Sequence, residues 1–331
     1  MIRAVKGSER LIPSEYCYHR NTLSEKEKEV YDTLAEALSR RKNCSTPIWN
    51  IHGADMAKVR AAILHDQPLL YYCGKQSWMT SGIWGPVTIF WDFSMTEVQI
   101  EQYDHAINHV LELLTVKLKK STLWKEIYLH DKLRLLKIEI NRDDDMAHTI
   151  IGPLLQKHTV CEGIAKLFLL LCAINGIQAA YISGTADGII EKGPHAWNLI
   201  KIGNDWFHVD AYWDLIGANH MGDFCYDYLN LTDQEIGVNH LWNRSLYPNC
   251  SNGTKNYFAI TKSDIRNASE FQEFVKRCQQ KNKKQFEVRM RFDYDLNQCI
   301  RIIEKIYPFQ RYKGLSYVQK KEIGTIKFML N

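Results

Sequence analysis

Apolar positions along the first part of the chain recur with helical spacing. Val30, Leu34 and Leu38 fall on one face of a segment that begins at Ser24, where Glu27 completes a capping box. Two shorter runs are instead rich in strand-forming residues. The pattern therefore predicts a helix-rich region with little strand. Its further elements are helices over 55–64, 96–117 and 123–136 and strands over 69–73 and 87–93.

The apolar pattern becomes denser after the polar run at 141–145. Nearly every residue from 164 to 173 is apolar, which is typical of a helix buried on all sides. Several strands follow, and helices and strands are mixed again beyond Phe258. We therefore divide the chain into a helix-rich N-terminal region (1–120), a core (121–258) and a small basic α+β region (259–331). The elements predicted in the last region are a helix that ends at Gln280, strands over 286–292 and 322–330, and a helix over 296–306.

A β-hairpin is predicted between His195 and Asp214. Two runs of strand-forming residues are separated there by Gly203 and Asn204, a pair suited to a two-residue turn. If these two residues form the turn, counting outward gives the register. The expected pairs are Ile202–Asp205, Leu199–His208, Trp197–Asp210 and His195–Tyr212.

This register brings an imidazole close to a carboxylate. Side chains on a strand alternate between faces, so His195 and Asp210 share a face as diagonal neighbours, near hydrogen-bonding reach. A histidine held by a carboxylate has the orientation to take a proton from a thiol. His208 is on the same face, nearer the turn and nearer to water, so spacing alone favours His195 only weakly. The alternative interpretation is a half-buried hairpin whose polar groups only satisfy one another.

Cys161 lies at the start of the apolar helix, where a thiol can become reactive. The unpaired N–H groups and the dipole of a helix N-terminus favour an anion, and the thiolate is the nucleophilic form of cysteine. Free cysteine is also one of the most commonly buried residues, and Cys172 on the same helix is expected to be plain core. The position of Cys161 alone therefore leaves both interpretations open.

Composition argues against several other classes of protein. The chain has 42 Lys and Arg against 38 Asp and Glu, a net charge of +4 that does not indicate a nucleic-acid or membrane partner. Residues 281–331 are more basic, with 12 Lys or Arg against 5 Asp or Glu. A solvated surface is the favoured interpretation of this stretch, and binding of a polyanion is the alternative.

No cofactor or metal is expected from the motifs. His158 and Cys161 are separated by two residues, but no second pair follows at zinc spacing, and no glycine-rich phosphate loop is present. The nine cysteines form no CxxC pair, and no apolar stretch has the length of a signal peptide or of a membrane span. A cytoplasmic location is therefore expected.

Three segments resemble the core motifs of the transglutaminase-like superfamily, a branch of the papain-like cysteine hydrolases. They are VCEGIAKLF, GPHAWNLIKI and DWFHVDAYWD. YLHDKL upstream, and YDYLNLTDQEI with HLWNRSLYPNC downstream, are similar to flanking segments of bacterial members. The resemblance implies an α+β papain-like, or transglutaminase-core, fold in which the buried cysteine helix packs on an antiparallel sheet. One departure is that Ala211 and Tyr212 precede Trp213, where many members have Thr-Trp.

The resemblance also implies roles for three residues. Cys161 is expected to be the nucleophile, His195 the general base, and Asp210 the group that orients the base. The implied activity is acyl transfer at a protein or peptide amide through a thioester, as glutamine transamidation with an amine co-substrate or as deamidation. A cysteine peptidase or amide hydrolase of the same fold and a catalytically silent binding module are the alternatives. Besides the backbone N–H of Cys161, the second oxyanion donor is open between Gln156 and a tryptophan.

Overall fold

The computed structural model describes residues 2–49, 54–81, 85–115, 120–136, 138–141, 144–188, 192–221, 225–307, 314–321 and 323–331. The helices are α1 (Tyr18–Asn21), α2 (Glu25–Ser39), α3 (Met56–Asp66), α4 (Glu97–Leu114), α5 (Thr122–Arg134), α6 (Cys161–Ile174), α7 (Ala211–Met221), α8 (Asp233–Ile236), α9 (Tyr257–Ile260), α10 (Ala268–Gln280) and α11 (Leu296–Ile306). The strands are β1 (Cys73–Ser81), β2 (Val87–Phe93), β3 (Glu139–Ile140), β4 (His158–Thr159), β5 (Ala179–Asp187), β6 (Lys192–Ile202), β7 (Asp205–Val209), β8 (Leu229–Leu231), β9 (His240–Leu241), β10 (Asp264–Ile265), β11 (Gln285–Met290), β12 (Leu315–Lys320) and β13 (Thr325–Leu330). Short single turns cover Ser8–Arg10, Ser14–Tyr16, Asp145–His148, Gly152–Gln156 and Arg244–Leu246.

The predicted helices of the N-terminal region are confirmed. The capping box of α2 has the Ser24 side chain accepting from the Glu27 N–H while the Glu27 carboxylate accepts from the Ser24 N–H. The helix α4 ends at Leu114, and positions 116 and 117 of its predicted range lie outside the described residues. The strand predicted over 87–93 is β2, which pairs with β1 in an antiparallel hairpin.

The strand predicted over 69–73 is wrong. Residues 69–72 form turns instead, and β1 starts at Cys73. The side chains of Tyr71 and Tyr72 are buried, and their hydroxyls donate to Asp104 and to the Leu38 carbonyl. This apolar run therefore inserts its side chains into the core through turns, and burial overrides the strand propensity of its residues.

A five-stranded antiparallel sheet with the strand order β8-β7-β6-β5-β9 supports the core. The apolar helix α6 packs against β5 and β6, and the Asn198 side chain on β6 donates to the Ala165 carbonyl of α6 at 3.0 Å. The α+β fold, with a buried cysteine helix on an antiparallel sheet, is thus confirmed. From the N-terminal region, α1 and α3 also contact β5.

The C-terminal region has a sheet of its own in the order β10-β11-β13-β12, packed with α10 and α11. The helices predicted to end at Gln280 and to cover 296–306 are confirmed, as are strands within 286–292 and 322–330, although position 322 lies outside the described residues. The strand β12 was not predicted. It is an edge strand with partly exposed side chains, so its residues lack a clear apolar face.

The buried apolar side chains of the described residues form two clusters. One extends from Ala4 to Cys250, and its members lie on both sides of the boundary predicted at 120–121. The other extends from Ile265 to Leu330. The two domain boundaries themselves stay predictions. Among the described helices, none is both long and apolar enough to cross a membrane, and all nine cysteines are free thiols.

Candidate active site

Cys161 is the first residue of α6, as predicted. Val160 is extended and its side chain offers no acceptor, so it caps none of the first N–H groups of the helix. The start of α6 lies very close to the turn before it, because a Cβ added at Gly163 would be 2.3 Å from the Ala147 carbonyl oxygen. The absence of a side chain at Gly163 therefore sets the depth at which Cys161 sits, and Cys161 is only 8% exposed.

The predicted hairpin is confirmed for the five pairs nearest the turn, from Ile202–Asp205 to Asn198–Val209. The outer pairs Trp197–Asp210 and His195–Tyr212 are wrong, because the chain leaves the sheet after Val209. The N–H of Asp210 donates to the Tyr228 carbonyl, and α7 begins at Ala211. Asp210 itself ends the strand, since its Oδ1 accepts the N–H groups of Tyr212 and Trp213 as a helix cap.

His195 and Asp210 nevertheless meet. Nε2 of His195 donates to Oδ2 of Asp210 at 2.7 Å, and both side chains are buried. Burial opposes the charge on His195, but Asp210 and Cys161 raise its pKa to about 10. Burial likewise opposes the charge on Asp210, but His195 and His240 hold its pKa well below the ordinary value. The pair is therefore an imidazolium and a carboxylate at neutral pH.

The Cys161 thiol interacts with the His195 ring on the side away from Asp210. The cysteine contributes to the raised pKa of His195 both through a hydrogen bond and through its charge. Since Nε2 is engaged with Asp210, the nitrogen that interacts with the thiol is Nδ1. The structure thus brings together all three residues that the sequence singled out. Their catalytic roles stay a prediction at this point.

Comparison with known proteins agrees with this geometry. Residues 115–211 match the family model of the transglutaminase-like superfamily. This part of the chain is therefore similar in sequence to the transglutaminase-like superfamily. The matched segment contains Cys161, His195 and Asp210, and the resemblance noted in the sequence is confirmed.

Two solved structures show weaker similarity. One is described as a TGase crystal structure, with 12% identity, a TM-score of 0.30, and coverage of 41% of this chain and 44% of that one. The other is a putative cysteine protease from Cytophaga hutchinsonii, with 15% identity, a TM-score of 0.26, and coverage of 41% of this chain and 61% of that one. The chain thus spans less than two thirds of either protein. No curated protein matches it.

His208 does not compete with His195 in the transglutaminase-like core. It pairs with Leu199 as predicted, but the expectation that it lies nearer to water is wrong, because His208 is fully buried. Its Nδ1 accepts the indole N–H of Trp197 at 3.0 Å, and its Nε2 donates to Asp233 at 2.8 Å. Both ring nitrogens are thus engaged, one with Trp197 and the other with Asp233, which leaves His208 a structural role.

His240 is a member of the site that sequence reasoning missed. It lies on β9, which pairs with β5 so that Ala186 is opposite His240. Its Nε2 is 3.1 Å from Oδ2 of Asp210, the oxygen that also accepts from His195. The only signal for it in the sequence was its place at the head of the segment HLWNRSLYPNC.

Aromatic rings surround the His195 imidazole. The ring of Trp213 lies 5.3 Å from it and those of Trp197 and Tyr212 lie 6.0 Å away, between centroids. The buried Nε1 of Trp213 has no hydrogen-bond partner among the described residues. Gly188 packs directly against the Trp213 ring, since a Cβ there would be 2.5 Å from it. Such a low-dielectric surrounding strengthens the interaction between His195 and Asp210.

Three groups of candidate metal ligands exist among the described residues, and the hydrogen bonding accounts for each without an ion. His195, Asp210 and His240 form the network above. In the group with Asp233 and Cys250, the Trp197 N–H on Nδ1 of His208 requires the proton on Nε2, which a metal would have to displace. In the third group, of Asp214, Cys225 and Asp227, the Lys320 amine supplies the positive charge.

Proposed function

We propose that this protein is a cysteine-dependent acyl-transfer enzyme that acts on a protein or peptide amide through a thioester on Cys161. His195 and Asp210 complete the catalytic set. The product is a transamidated glutamine when an amine accepts the acyl group and a free carboxylate when water accepts it. No cofactor takes part in the proposed reaction.

The main support is the position of the His195 imidazole between two partners. Asp210 binds Nε2 at 2.7 Å and keeps the ring protonated, while the sulfur of Cys161 interacts with the opposite side. A cationic ring next to a thiol at an uncapped helix N-terminus favours the thiolate over the thiol. A buried cysteine with a purely structural role needs none of these partners.

The chemistry follows from this arrangement. The Cys161 thiolate forms a bond to the amide carbonyl carbon, and the carbonyl electron pair moves to oxygen, close to the N–H groups of the α6 terminus. When the carbonyl re-forms, the C–N bond breaks and His195 gives its proton to the leaving amine. Neutral His195 then takes a proton from the incoming amine or water, which attacks the thioester and releases Cys161.

The first test measures alkylation by iodoacetamide as a function of pH, with the modified residue identified by peptide mass spectrometry. We expect Cys161 to react at pH 6 nearly as fast as at pH 8, whereas a free thiol with a pKa of about 8.5 slows by about two orders of magnitude. Cys172, fully buried on the same helix, is the internal control and should stay unmodified. A Cys161 that follows the free-thiol profile would favour a silent binding module.

The second part of the test identifies the substrate. The protein is incubated with a glutamine-containing peptide library, quenched in acid, and the peptide that carries Cys161 is examined for an acyl adduct. The Cys161→Ala variant is the control that must lose the adduct. Adding a primary amine then separates the two outcomes, because transamidation incorporates the amine while hydrolysis releases the acid.

A further inference from the structure

A second imidazole binds the carboxylate that holds the proposed base. Oδ2 of Asp210 lies 2.7 Å from Nε2 of His195 and 3.1 Å from Nε2 of His240. The other oxygen, Oδ1, accepts the N–H groups of Tyr212 and Trp213 at 3.1 and 3.0 Å. Asp210 therefore has four donors, and a rotation of the carboxylate would break several hydrogen bonds at once.

The fold holds His240 firmly in this place. Its ring packs edge-to-face against Trp197 and Trp213, with centroid distances of 4.9 and 4.5 Å, and Nδ1 lies 2.7 Å from Oδ1 of Asn239. Gly184, opposite His195 on β5, allows β9 to approach, since a Cβ there would be 2.3 Å from the Leu241 carbonyl oxygen. The side chain of His240 is completely buried.

We infer that His240 is a positioning residue of the proposed reaction, which acts through Asp210 and sets how strongly that carboxylate holds the His195 imidazolium. This inference rests on the proposed function. The hydrogen bond that links His240 to the three proposed catalytic residues is made to Asp210. Its effect is exerted on the shared oxygen.

The physical argument concerns the charge on that oxygen. A hydrogen bond from His240 stabilises the negative charge on Oδ2, so less of it is available to stabilise the neighbouring imidazolium. Burial lowers the pKa of His240, so the ring carries a single N–H. For that N–H to lie on Nε2 and donate to Asp210, the Asn239 amide must turn its NH2 group toward Nδ1 and accept from the Tyr228 hydroxyl. Without this donor, His195 should hold its proton more tightly and should become a weaker acid toward the leaving amine.

The pH dependence of Cys161 alkylation is set by those titratable groups near the two rings that change charge in the range measured. The Cys161 thiol and the Tyr212 ring lie near His195, and the Tyr228 ring and His208 lie near His240. Tyr228 is held neutral by burial, which raises its pKa, and His208 is held neutral by burial, which lowers its pKa. The titration that can respond to His240 in the alkaline range is therefore that of the Cys161–His195 pair.

The experiment compares the pH profile of Cys161 alkylation in the wild type with that of two variants without a donor, His240→Phe and His240→Leu. The alkylation rate is expected to change in two steps as the pH rises. The step at lower pH reports ionisation of the thiol beside a protonated His195 and should stay at the same pH in the variants. The upper step reports deprotonation of His195 and should move to higher pH by about half a unit to one unit. His240→Gln, which keeps an N–H of similar reach, should restore the wild-type profile.

The control for loss of a buried imidazole is His208→Phe, because His208 binds Asp233 instead of Asp210. This variant should lower the melting temperature without moving the upper step. An upper step that stays in place or moves to lower pH in both donor-free variants would overturn the inference, while fast alkylation of wild-type Cys161 at pH 6 would leave the proposed function standing. If the wild type shows no reactive Cys161, both fail.

Discussion

At the scale of single residues, Asp210 links three functions that would usually belong to different side chains. It caps α7 through Oδ1, binds His195 through Oδ2, and accepts His240 at the same Oδ2. Because all of these contacts are made by one buried carboxylate, the geometry of the proposed base cannot change independently of the start of α7. The position of the ring is therefore coupled to the stability of the fold.

The Asp210→Asn substitution tests this coupling. The pKa of His195 is raised from its ordinary value of 6.5 to about 10, so protonation of His195 stabilises the wild type fully below pH 6.5 and progressively less as the pH rises toward 10. An amide cannot stabilise the imidazolium, so the wild-type advantage in free energy of unfolding over Asp210→Asn should shrink across this range. Urea denaturation at pH 6, 8 and 9.5 measures it, and a constant difference would contradict the ion pair.

At the scale of elements, the sequence patterns correctly predicted the features that depend on a single helix or a single turn. The α6 helix and the hairpin pairs beside Gly203 follow from apolar runs and from turn chemistry. The outer pairs failed because Asp210 caps a helix, and a side chain that can end a strand gives no periodic signal. His195 and Asp210 were predicted to be close because of diagonal pairing between β6 and β7. This reason is only partly right, since the pairing of the two strands ends at Val209, before Asp210.

Gly163 tests how tightly the cysteine helix is held. A methyl group at this position would be 2.3 Å from the Ala147 carbonyl oxygen and 2.4 Å from Oγ1 of Thr159, so Gly163→Ala must displace the first turn of α6. We expect a loss of about 1–3 kcal/mol in stability, together with slower alkylation of Cys161.

The matched control is Gly203→Ala in the hairpin turn. Gly203 has a φ of 66°, and a Cβ there meets nothing within 4 Å, so its cost is backbone strain of about 1–2 kcal/mol. This variant should lose similar stability while Cys161 keeps its alkylation rate. Equal slowing in both variants would show that general destabilisation is responsible, and that the α6 contact is not.

At the scale of the whole molecule, the sequence predicted the set of elements better than the contacts between them. His240 meets Asp210 across 30 residues, and Lys320 meets Asp227 across 93 residues. The periodicity of apolar residues indicates which face of a helix or strand is buried, but it does not indicate which other element packs against that face. Neither of these two contacts could therefore be predicted from residue spacing. The family resemblance supplied Cys161, His195 and Asp210, but it gave no role to His240.

The contact between Lys320 and Asp227 joins the C-terminal sheet to the segment that follows α7. Lys320 on β12 pairs with the buried Asp227, and Glu287 on β11 belongs to the same cluster, where burial followed by the nearby carboxylates raises its pKa. Burial also raises the pKa of Asp214 to about 6, above its ordinary value of 3.8. The buried Asp214 therefore costs stability as the pH rises from 3.8 to about 6, where the cost becomes constant, and Lys320 offsets part of it.

Replacing Lys320 by Met should consequently destabilise the protein more at pH 8 than at pH 5. At pH 8 the buried carboxylates lose the Lys320 cation, with a cost of about 3 kcal/mol, whereas at pH 5 protonation of Asp214 and Glu287 relieves part of the repulsion. Melting temperatures at the two pH values measure the difference. Lys321→Met removes an exposed charge from the next position and should change little at either pH. If Lys320→Met lost the same stability at both pH values, the side chain would act through packing, and the two regions would not be joined by charge.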